Sequence, residues 1–529
     1  MASVRLNILL VFLSLSFAGT FAGGDADGRR VRRNSRLTFH ARDEATERLE
    51  ALRERSGLPI LSQERFGGPA DDDWHGGDEC KEVVIQYNDY GISSTGENPT
   101  IGNGNGTADP RSPDYGAMRI FIQKAEEYTS ALPGRNTKVS FVPIEGFPLQ
   151  INALRPGVQL ATTTTSPPVN PPFGFLYNSM PFAMQEEHWL EFLYEAEATE
   201  EGLNGIELAQ EQLDNLGSSQ VAFPVVGSTS QGSGYFPKPI GKPLCHEGDQ
   251  DCEAEGDGIG LAGLCTSGWE IRFLDAPGQV INVTCHLLKE NGVIENVDLE
   301  FYPPVGGESV LKPAQNRDIQ GFEFITPFDD LKEFFPVKEG GPDSGQLNCT
   351  DALEEDCSQN IGQVGLRYAH YPGWHQPFLT SWMHVDKDIW FEELSRAQRA
   401  AILRAAKESV SESYGATESV QCEKLRDIID FNVGIEQLNQ DGSLKLEDGN
   451  PISARMTMTE WPKESLDALE LGTSVYLNSL KETNREFAIV YGAMQNFTDI
   501  PVSPEELPPF PSTLGLVPGE PCKIAPPYL

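Results

Sequence analysis

Arg272 lies inside the apolar run Trp269-Glu270-Ile271-Arg272-Phe273. A guanidinium held in a strand can clamp a carboxylate through two parallel hydrogen bonds, and a structural salt bridge to one of the chain's many acids is the competing use. Further on, Phe322-Glu323-Phe324-Ile325-Thr326-Pro327-Phe328-Asp329-Asp330 sets a carboxylate between aromatic residues. Glu323 could ligate a cation or accept a hydrogen bond from a ligand hydroxyl, or be a solvated acid on an amphipathic strand. The densest aromatic stretch, Tyr368-Ala369-His370-Tyr371-Pro372-Gly373-Trp374-His375-Gln376-Pro377, joins rigid rings to a Pro-Gly turn. Rings of this kind wall a pocket or fill a core. The segment Phe223 to Phe236 reads as a strand followed by a Ser/Gly loop around Gln231. Its backbone amides could approach a ligand closely, and an ordinary polar loop has the same composition.

Other chemistries lack their signatures. No Gly-x-Ser-x-Gly, His-Glu-x-x-His or Cys/His nucleophile pattern occurs, so a hydrolase would rest on Glu323 with Asp329 or a histidine alone. The acidic loop Asp249-Gln250-Asp251-Cys252-Glu253-Ala254-Glu255 alternates acids as a calcium loop does, but its glycine and terminal glutamate are out of place. A calcium-dependent acidic matrix or adhesion glycoprotein is the reading such a loop would serve. The cysteines show no paired Cys-x-x-Cys spacing, which argues against a structural zinc. With 40 basic and 79 acidic residues the net charge is −39, a field that repels phosphate backbones and anionic lipid surfaces and makes nucleic acid a poor partner. The same field repels organic acids at long range, so any acid-binding pocket must carry its own cation.

Apolar periodicity outlines the scaffold these groups need. Glu82 to Tyr87 is dense in β-branched residues and reads as a strand. Ser112-Pro113 reads as an N-cap followed by Pro at the first helical position, opening a helix with Met118, Phe121, Ile122 and Ala125 on one face. Lys138 to Val142 is a strand, Leu149 to Leu154 a short helix and Gly157 to Ala161 another strand. This alternation predicts a mostly parallel sheet with covering helices. Trp269 to Leu274 and Val297 to Tyr302 are short strands. Ser395 and Gln398 form a capping box that opens a long helix, with Ala401, Ile402, Ala405 and Ala406 facing inward on the way to Val420. A last amphipathic helix runs from about Pro462 through Leu466 and Leu469 to Leu477. Residues 244–264 and 340–362 read as insertions with internal cysteines.

Residues 1–22 read as a signal peptide, with Arg5 before the apolar run Leu6 to Ala18 and a small-residue site at Thr20-Phe21-Ala22. That run is too short to cross a bilayer, so no membrane insertion is expected, and a secreted or secretory-lumen location is. Residues 23–79 read as a processed, flexible extension that includes the clustered arginines Arg30, Arg32 and Arg33, and 501–529 as a Pro-rich tail. Sequons begin at Asn105, Asn282, Asn348 and Asn496 and point to N-glycosylation on a secretory route. Nine cysteines suit an oxidising compartment. Their spacing nominates Cys349 with Cys357, and two of Cys245, Cys252 and Cys265. A chain of 529 residues exceeds what one core usually supports, so two lobes are expected between residues 80 and 500.

Taken in order, the four stretches resemble the solute-binding subunits of TRAP-type transporters, particularly the group that binds 2-oxo acids and related monocarboxylates. The resemblance runs from about Glu82 to Phe497 and is carried by several motifs. These are Pro181-Phe182-Ala183, the loop Gln231-Gly232-Ser233-Gly234-Tyr235-Phe236, Arg272, the segment from Glu323 to Asp330, Tyr371-Pro372-Gly373-Trp374, and the run Trp390, Leu394, Gln398. It implies an α/β, two-lobed clamshell fold like that of periplasmic binding proteins, with a long connecting helix. Lobe I would cover about 80–222 plus part of the C-terminal region, and lobe II about 223–390. It implies a receptor rather than an enzyme, capturing a small oxo, hydroxy or dicarboxylic acid for transport or sensing, with membrane transporter subunits as partners. Ligand contacts would fall to Gln231, Arg272, Glu323, Phe324, Trp374 and Gln376, with Arg272 on the carboxylate. A bridging sodium or calcium, if held, would sit on Gln231, Glu323 and Gln376. The chain departs from the pattern in three places: Phe324 stands for a usual Trp, Gln376 for a Glu, and Gly227 for a substrate-contacting Asn. The second leaves the cation site one protein carboxylate, which predicts weak cation binding or none.

Overall fold

The computed structural model describes residues 83–88, 117–132, 139–144, 161–163, 172–177, 180–184, 186–195, 199, 202–228, 234–245, 252, 254–273, 275–302, 310–323, 327–335, 359–375, 377–498, 500 and 501. The sequons at Asn105 and Asn348, cysteines 80, 349, 357 and 522, and the expected helix at Leu149 to Leu154 lie outside these residues, as do the signal peptide, extension and tail. No helix among the described residues is long and apolar enough to cross a membrane.

Strand β1 (Val83–Asn88) pairs in parallel with β2 (Val139–Ile144), joined through helix α1 (Ala117–Ser130). This is the strand–helix–strand unit the sequence predicts. On α1, Phe121, Ile122 and Ala125 are buried, as their spacing requires. Next come β3 (Ala161–Thr163), α2 (Glu186–Tyr194), α3 (Gly205–Asn215) and β4 (Gln220–Ser228). Helix α3 opens on a capping box: Glu207 N–H donates to Asn204 Oδ1 at 3.0 Å, and Asn204 N–H to Glu207 Oε2 at 3.2 Å. Strand β4 is buried on both faces, which accounts for its unbroken apolar run Val221 to Val226.

Beyond β4 lie β5 (Gly234–Phe236), α4 (Gly260–Cys265), β6 (Glu270–Arg272), α5 (Asp275–Glu290), β7 (Glu300–Phe301), α6 (Leu311–Asn316), β8 (Gly321–Glu323), α7 (Pro327–Phe334) and β9 (Tyr368–Tyr371). The strands expected at Trp269 to Leu274 and Val297 to Tyr302 are therefore present but shorter. A disulfide joins Cys245 to Cys252, within the trio that spacing nominated. A second joins Cys265 to Cys285 and ties α4 to α5; spacing did not reveal it. Within the expected insertion 244–264, Leu261 and Leu264 are buried in the main core. The Asn282 sequon falls on α5, where Thr284 is buried with its hydroxyl donating to Val280 O at 2.7 Å.

Strand β10 (Leu379–Asp386) returns the chain to a three-stranded antiparallel sheet of order β3-β10-β4. Its register slips between Ser381 and Trp382, opposite Val226 and Pro224, where proline removes a donor from the ladder. Helix α8 (Arg396–Phe431) starts on the expected box: Ser395 N–H donates to Gln398 Oε1 at 2.9 Å and Gln398 N–H to Ser395 Oγ at 3.3 Å. It continues eleven residues past Val420. Its first half packs Ile402, Leu403, Ala405 and Ala406 into one core, and its second packs Leu425, Ile428 and Ile429 into another.

A short hairpin of β11 (Leu446–Glu447) and β12 (Asn450–Pro451) precedes β13 (Thr457–Glu460), α9 (Lys463–Thr483) and α10 (Arg485–Phe497). The helix expected as the last, α9, is followed by α10, because Asn484 ends one and caps the other by accepting from Phe487 N–H at 2.7 Å. Asn496, start of the final sequon, is exposed near the end of α10. A six-stranded sheet of order β13-β9-β5-β8-β6-β7 completes the described fold, with β5 antiparallel to its neighbours. Period-two alternation divides its side chains: Phe236 and Ile271 enter one core, Tyr235 and Phe322 the other.

Two histidines are fully buried and electrically neutral. Burial pulls both His370 and His384 down to about 3. The Nε2 of His370 accepts from Ile240 N–H at 2.8 Å, which leaves the ring proton on Nδ1, facing the carbonyls of Gly234 and Tyr368. His384 lies mid-strand in β10. Because the unfolded imidazoles titrate near 6.5, the unfolded chain binds more protons between about pH 6.5 and 3. Stability is therefore complete above that window and falls as pH drops through it. Urea unfolding at pH 7.5 and pH 5 should show a loss of about 2 kcal/mol for each imidazole. His384→Leu should reduce that loss by about half; an unchanged loss would mean that His384 is not buried neutral.

Candidate functional site

The register of the six-stranded sheet brings the sequence-selected motifs to one edge. Gly234, the first residue of β5, pairs with Glu323, the last of β8, and also with His370 near the end of β9. Arg272, the last residue of β6, pairs with Phe322, one residue before Glu323. The carboxyl ends of parallel strands β6, β8, β9 and β13 thus share an edge with the amino end of β5. Ligands of α/β sheets bind at such an edge, because the loops leaving it converge there. Of the expected contacts, Arg272, Glu323 and Trp374 are placed on or just beyond this edge, while Gln231, Phe324 and Gln376 lie outside the described residues.

Strand alternation sends the Arg272 and Glu323 side chains to opposite faces, and the guanidinium turns back across the edge. Its Nη1 donates to the carbonyl oxygen of Glu323 at 3.4 Å, near the long limit for such a bond. Arg272 is half-buried, and no carboxylate among the described residues pairs with it. The carboxylate of Glu323 is fully buried, and its Oε2 stands 3.5 Å from His375 Nε2. That nitrogen is itself buried without a hydrogen-bond partner. Two rings fix the imidazole edgewise, Phe273 at 6.3 Å and Trp374 at 5.8 Å between centroids.

Trp374 is fully buried and serves as a support behind the edge. It stacks on Phe182 at 5.7 Å and meets Trp461 edge-on at 6.2 Å. Phe182 N–H also donates to Trp374 O at 2.8 Å. Phe182 holds a left-handed φ of 52°, a costly conformation for a bulky residue, which this paired contact sustains. The Pro-Phe-Ala and Tyr-Pro-Gly-Trp motifs, almost two hundred residues apart, are therefore one contact. The sequence motifs assign no role to His370 or His375. All four residues of the Tyr-Ala-His-Tyr strand are buried, so alternation carries no signal for His370, and nothing in the sequence marks His375 as the neighbour of Glu323.

Solved structures share this fold. A TRAP transporter solute-binding protein from Bordetella bronchiseptica, with calcium and picolinate in one active site and another site apo, matches with a TM-score of 0.50. It is 15% identical over 79% of this chain and 91% of that one. A TRAP periplasmic solute-binding protein from Pseudoalteromonas atlantica with bound sodium and pyruvate also matches with a TM-score of 0.50, at 12% identity over 79% of this chain and 94% of that one. The fold is that of the TRAP solute-binding proteins. It is the α/β, two-lobed fold expected from the sequence motifs. No protein-family model matches the sequence, and no curated protein does.

A TRAP-type cation would draw on Gln231, Glu323 and Gln376, of which Glu323 alone is described. Its carbonyl faces a guanidinium and its carboxylate faces an imidazole nitrogen. Sodium and calcium take oxygen ligands, and a guanidinium and an imidazole supply none. Among the described residues no group of three or more His, Cys, Asp or Glu side chains is placed to hold a metal.

Gly227, the departure from the TRAP pattern on β4, has a packing reason. A Cβ there would lie 2.6 Å from the carbonyl oxygen of Val410 on α8. The same approach lets Gly227 N–H donate to Ser413 Oγ at 2.9 Å, and Ser413 Oγ–H lies 3.1 Å from Gly227 O. The long helix fills the space an asparagine would need. Gly227→Asn should therefore destabilise the chain by about 1–3 kcal/mol through overpacking, read as a lower urea midpoint. A midpoint at or above that of the parent would show that α8 can yield.

Proposed function

We propose that this chain is an extracytoplasmic receptor that captures a small organic acid, oxo, hydroxy or dicarboxylic, in a TRAP-type cleft, and that it catalyses nothing. The observation that carries this reading is Arg272: a half-buried guanidinium at the carboxyl edge of the sheet, held by one long bond to a carbonyl and paired with no described carboxylate. In a chain of net charge −39, a cation left unneutralised there suits an anionic ligand better than a structural salt bridge. The picolinate and pyruvate bound by the two TRAP proteins are small carboxylates, which gives the reading its ligand class. Gln231, Phe324 and Gln376 would complete the contacts, with Trp374 bracing the edge from behind. Ligand held between lobes would favour the closed form by its higher affinity for that form. In a TRAP system that closed form is what a membrane transporter subunit would read; a secreted sensor would use the same step.

Thermal denaturation against oxo, hydroxy and dicarboxylic acids, with and without sodium or calcium, tests this directly. An acid at about 100 times its dissociation constant should stabilise by roughly 2.7 kcal/mol. Arg272→Ala should abolish the shift while leaving the unliganded melting temperature close to that of the parent. A full shift in the Arg272→Ala variant, or no shift with any acid, would remove the reading.

A further inference from the structure

We infer that this chain holds its anion without a bridging cation and that His375 takes the part such a cation would play. The inference rests on the receptor reading for its ligand and on separate geometry for its argument.

The cation set inherited from the TRAP pattern contains one carboxylate, Glu323. The backbone carbonyl of this residue and one of its carboxylate oxygens each lie beside a nitrogen. Its carbonyl accepts from Arg272 Nη1 at 3.4 Å, and its Oε2 lies 3.5 Å from His375 Nε2. Calcium takes six to eight oxygen ligands, whereas the imidazole and guanidinium beside this residue supply none. His375 is 2% exposed, and its Nε2 has no hydrogen-bond partner. A buried ring nitrogen left without a partner is costly, so this one is kept for a partner that arrives with the ligand or with closure. The ring has little freedom to serve elsewhere, because Phe273 and Trp374 hold it edgewise.

The chemistry follows from these positions. A bridging cation would link a protein carboxylate to a ligand oxygen by being attracted to both. A single imidazole N–H beside Glu323 and within the same edge as the Arg272 guanidinium can be shared, as a three-centre donor, between the carboxylate and a ligand oxygen. The 3.5 Å separation is long for a hydrogen bond, as such contacts are in unliganded sites, and it shortens on closure. The Gln at position 376 fits this scheme, since a second carboxylate would be needed only to hold a metal. His375 thus sets the ligand class: an organic anion whose second oxygen lies near its carboxylate and accepts a hydrogen bond, bound equally well with or without metal.

The test uses the intact chain, stripped with a chelator and exchanged into choline chloride, with pyruvate and picolinate as probes. Affinity from thermal shift or calorimetry should change by less than about twofold when calcium or sodium is added, since no ligand oxygen would be gained. His375→Ala should weaken binding by about tenfold or more, the loss expected of a hydrogen bond to a charged group. His375→Gln, which keeps an N–H donor, should retain most of it, and circular dichroism of both variants guards against misfolding. A tenfold or larger dependence on calcium or sodium would overturn the inference and leave the receptor reading standing. Stabilisation by zinc or manganese that His375→Gln removes would also overturn it, by making the imidazole a metal ligand. If no acid binds under any condition, the receptor reading fails and the inference falls with it.

Discussion

The cross-strand row Gly234, Glu323 and His370 is the constraint on which the site depends. Because β5 runs against its neighbours, its first residue meets the ends of β8 and β9, and β6 ends one position away. A one-residue slip of β8 would turn Glu323 to the other face and put Phe322 among the wrong aromatics. The two apolar cores resist that slip, since Tyr235 and Phe322 belong to one and Phe236 and Ile271 to the other. Hydrophobic burial thereby fixes where a carboxylate and a guanidinium stand, although neither contributes to the burial.

Electrostatics then sets what the edge can hold. The molecule as a whole repels anions, and a Debye length of about 8 Å confines that repulsion to short range at physiological salt. Within the edge the balance differs. Arg272 donates to the backbone carbonyl of Glu323 while His375 stands beside its carboxylate, and burial of Glu323 strengthens whatever pairs with it. The aromatic contacts behind it, Phe182 on Trp374 and Trp374 against Trp461, keep these groups in place from two distant parts of the chain.

Much of the scaffold was legible in the sequence where a single physical rule governs. Helix α8 announced itself by the Ser395 and Gln398 box and an alanine-rich stripe, and α1 by its buried face. Residues 463–483 showed their amphipathic stripe, but the helix after them was missed because Asn484 is one residue serving as both an end and a cap. The site was legible as a set of motifs, with Arg272 and Glu323 falling at the ends of their strands. What the sequence could not convey was contact between distant positions. The Cys265–Cys285 bridge, the seat of His375 beside Glu323, and the helix that displaces a side chain at Gly227 all depend on how elements pack. No local spacing encodes such approaches.

Helix α8 carries a consequence of its own. At 36 residues and a rise of 1.5 Å each, it is about 54 Å long, and its two halves are anchored in different apolar clusters. Neither cluster can melt while this rod stays intact without stripping half of its buried surface. The rod therefore makes the two cores partners in a single cooperative transition, and damage to either one is felt in both.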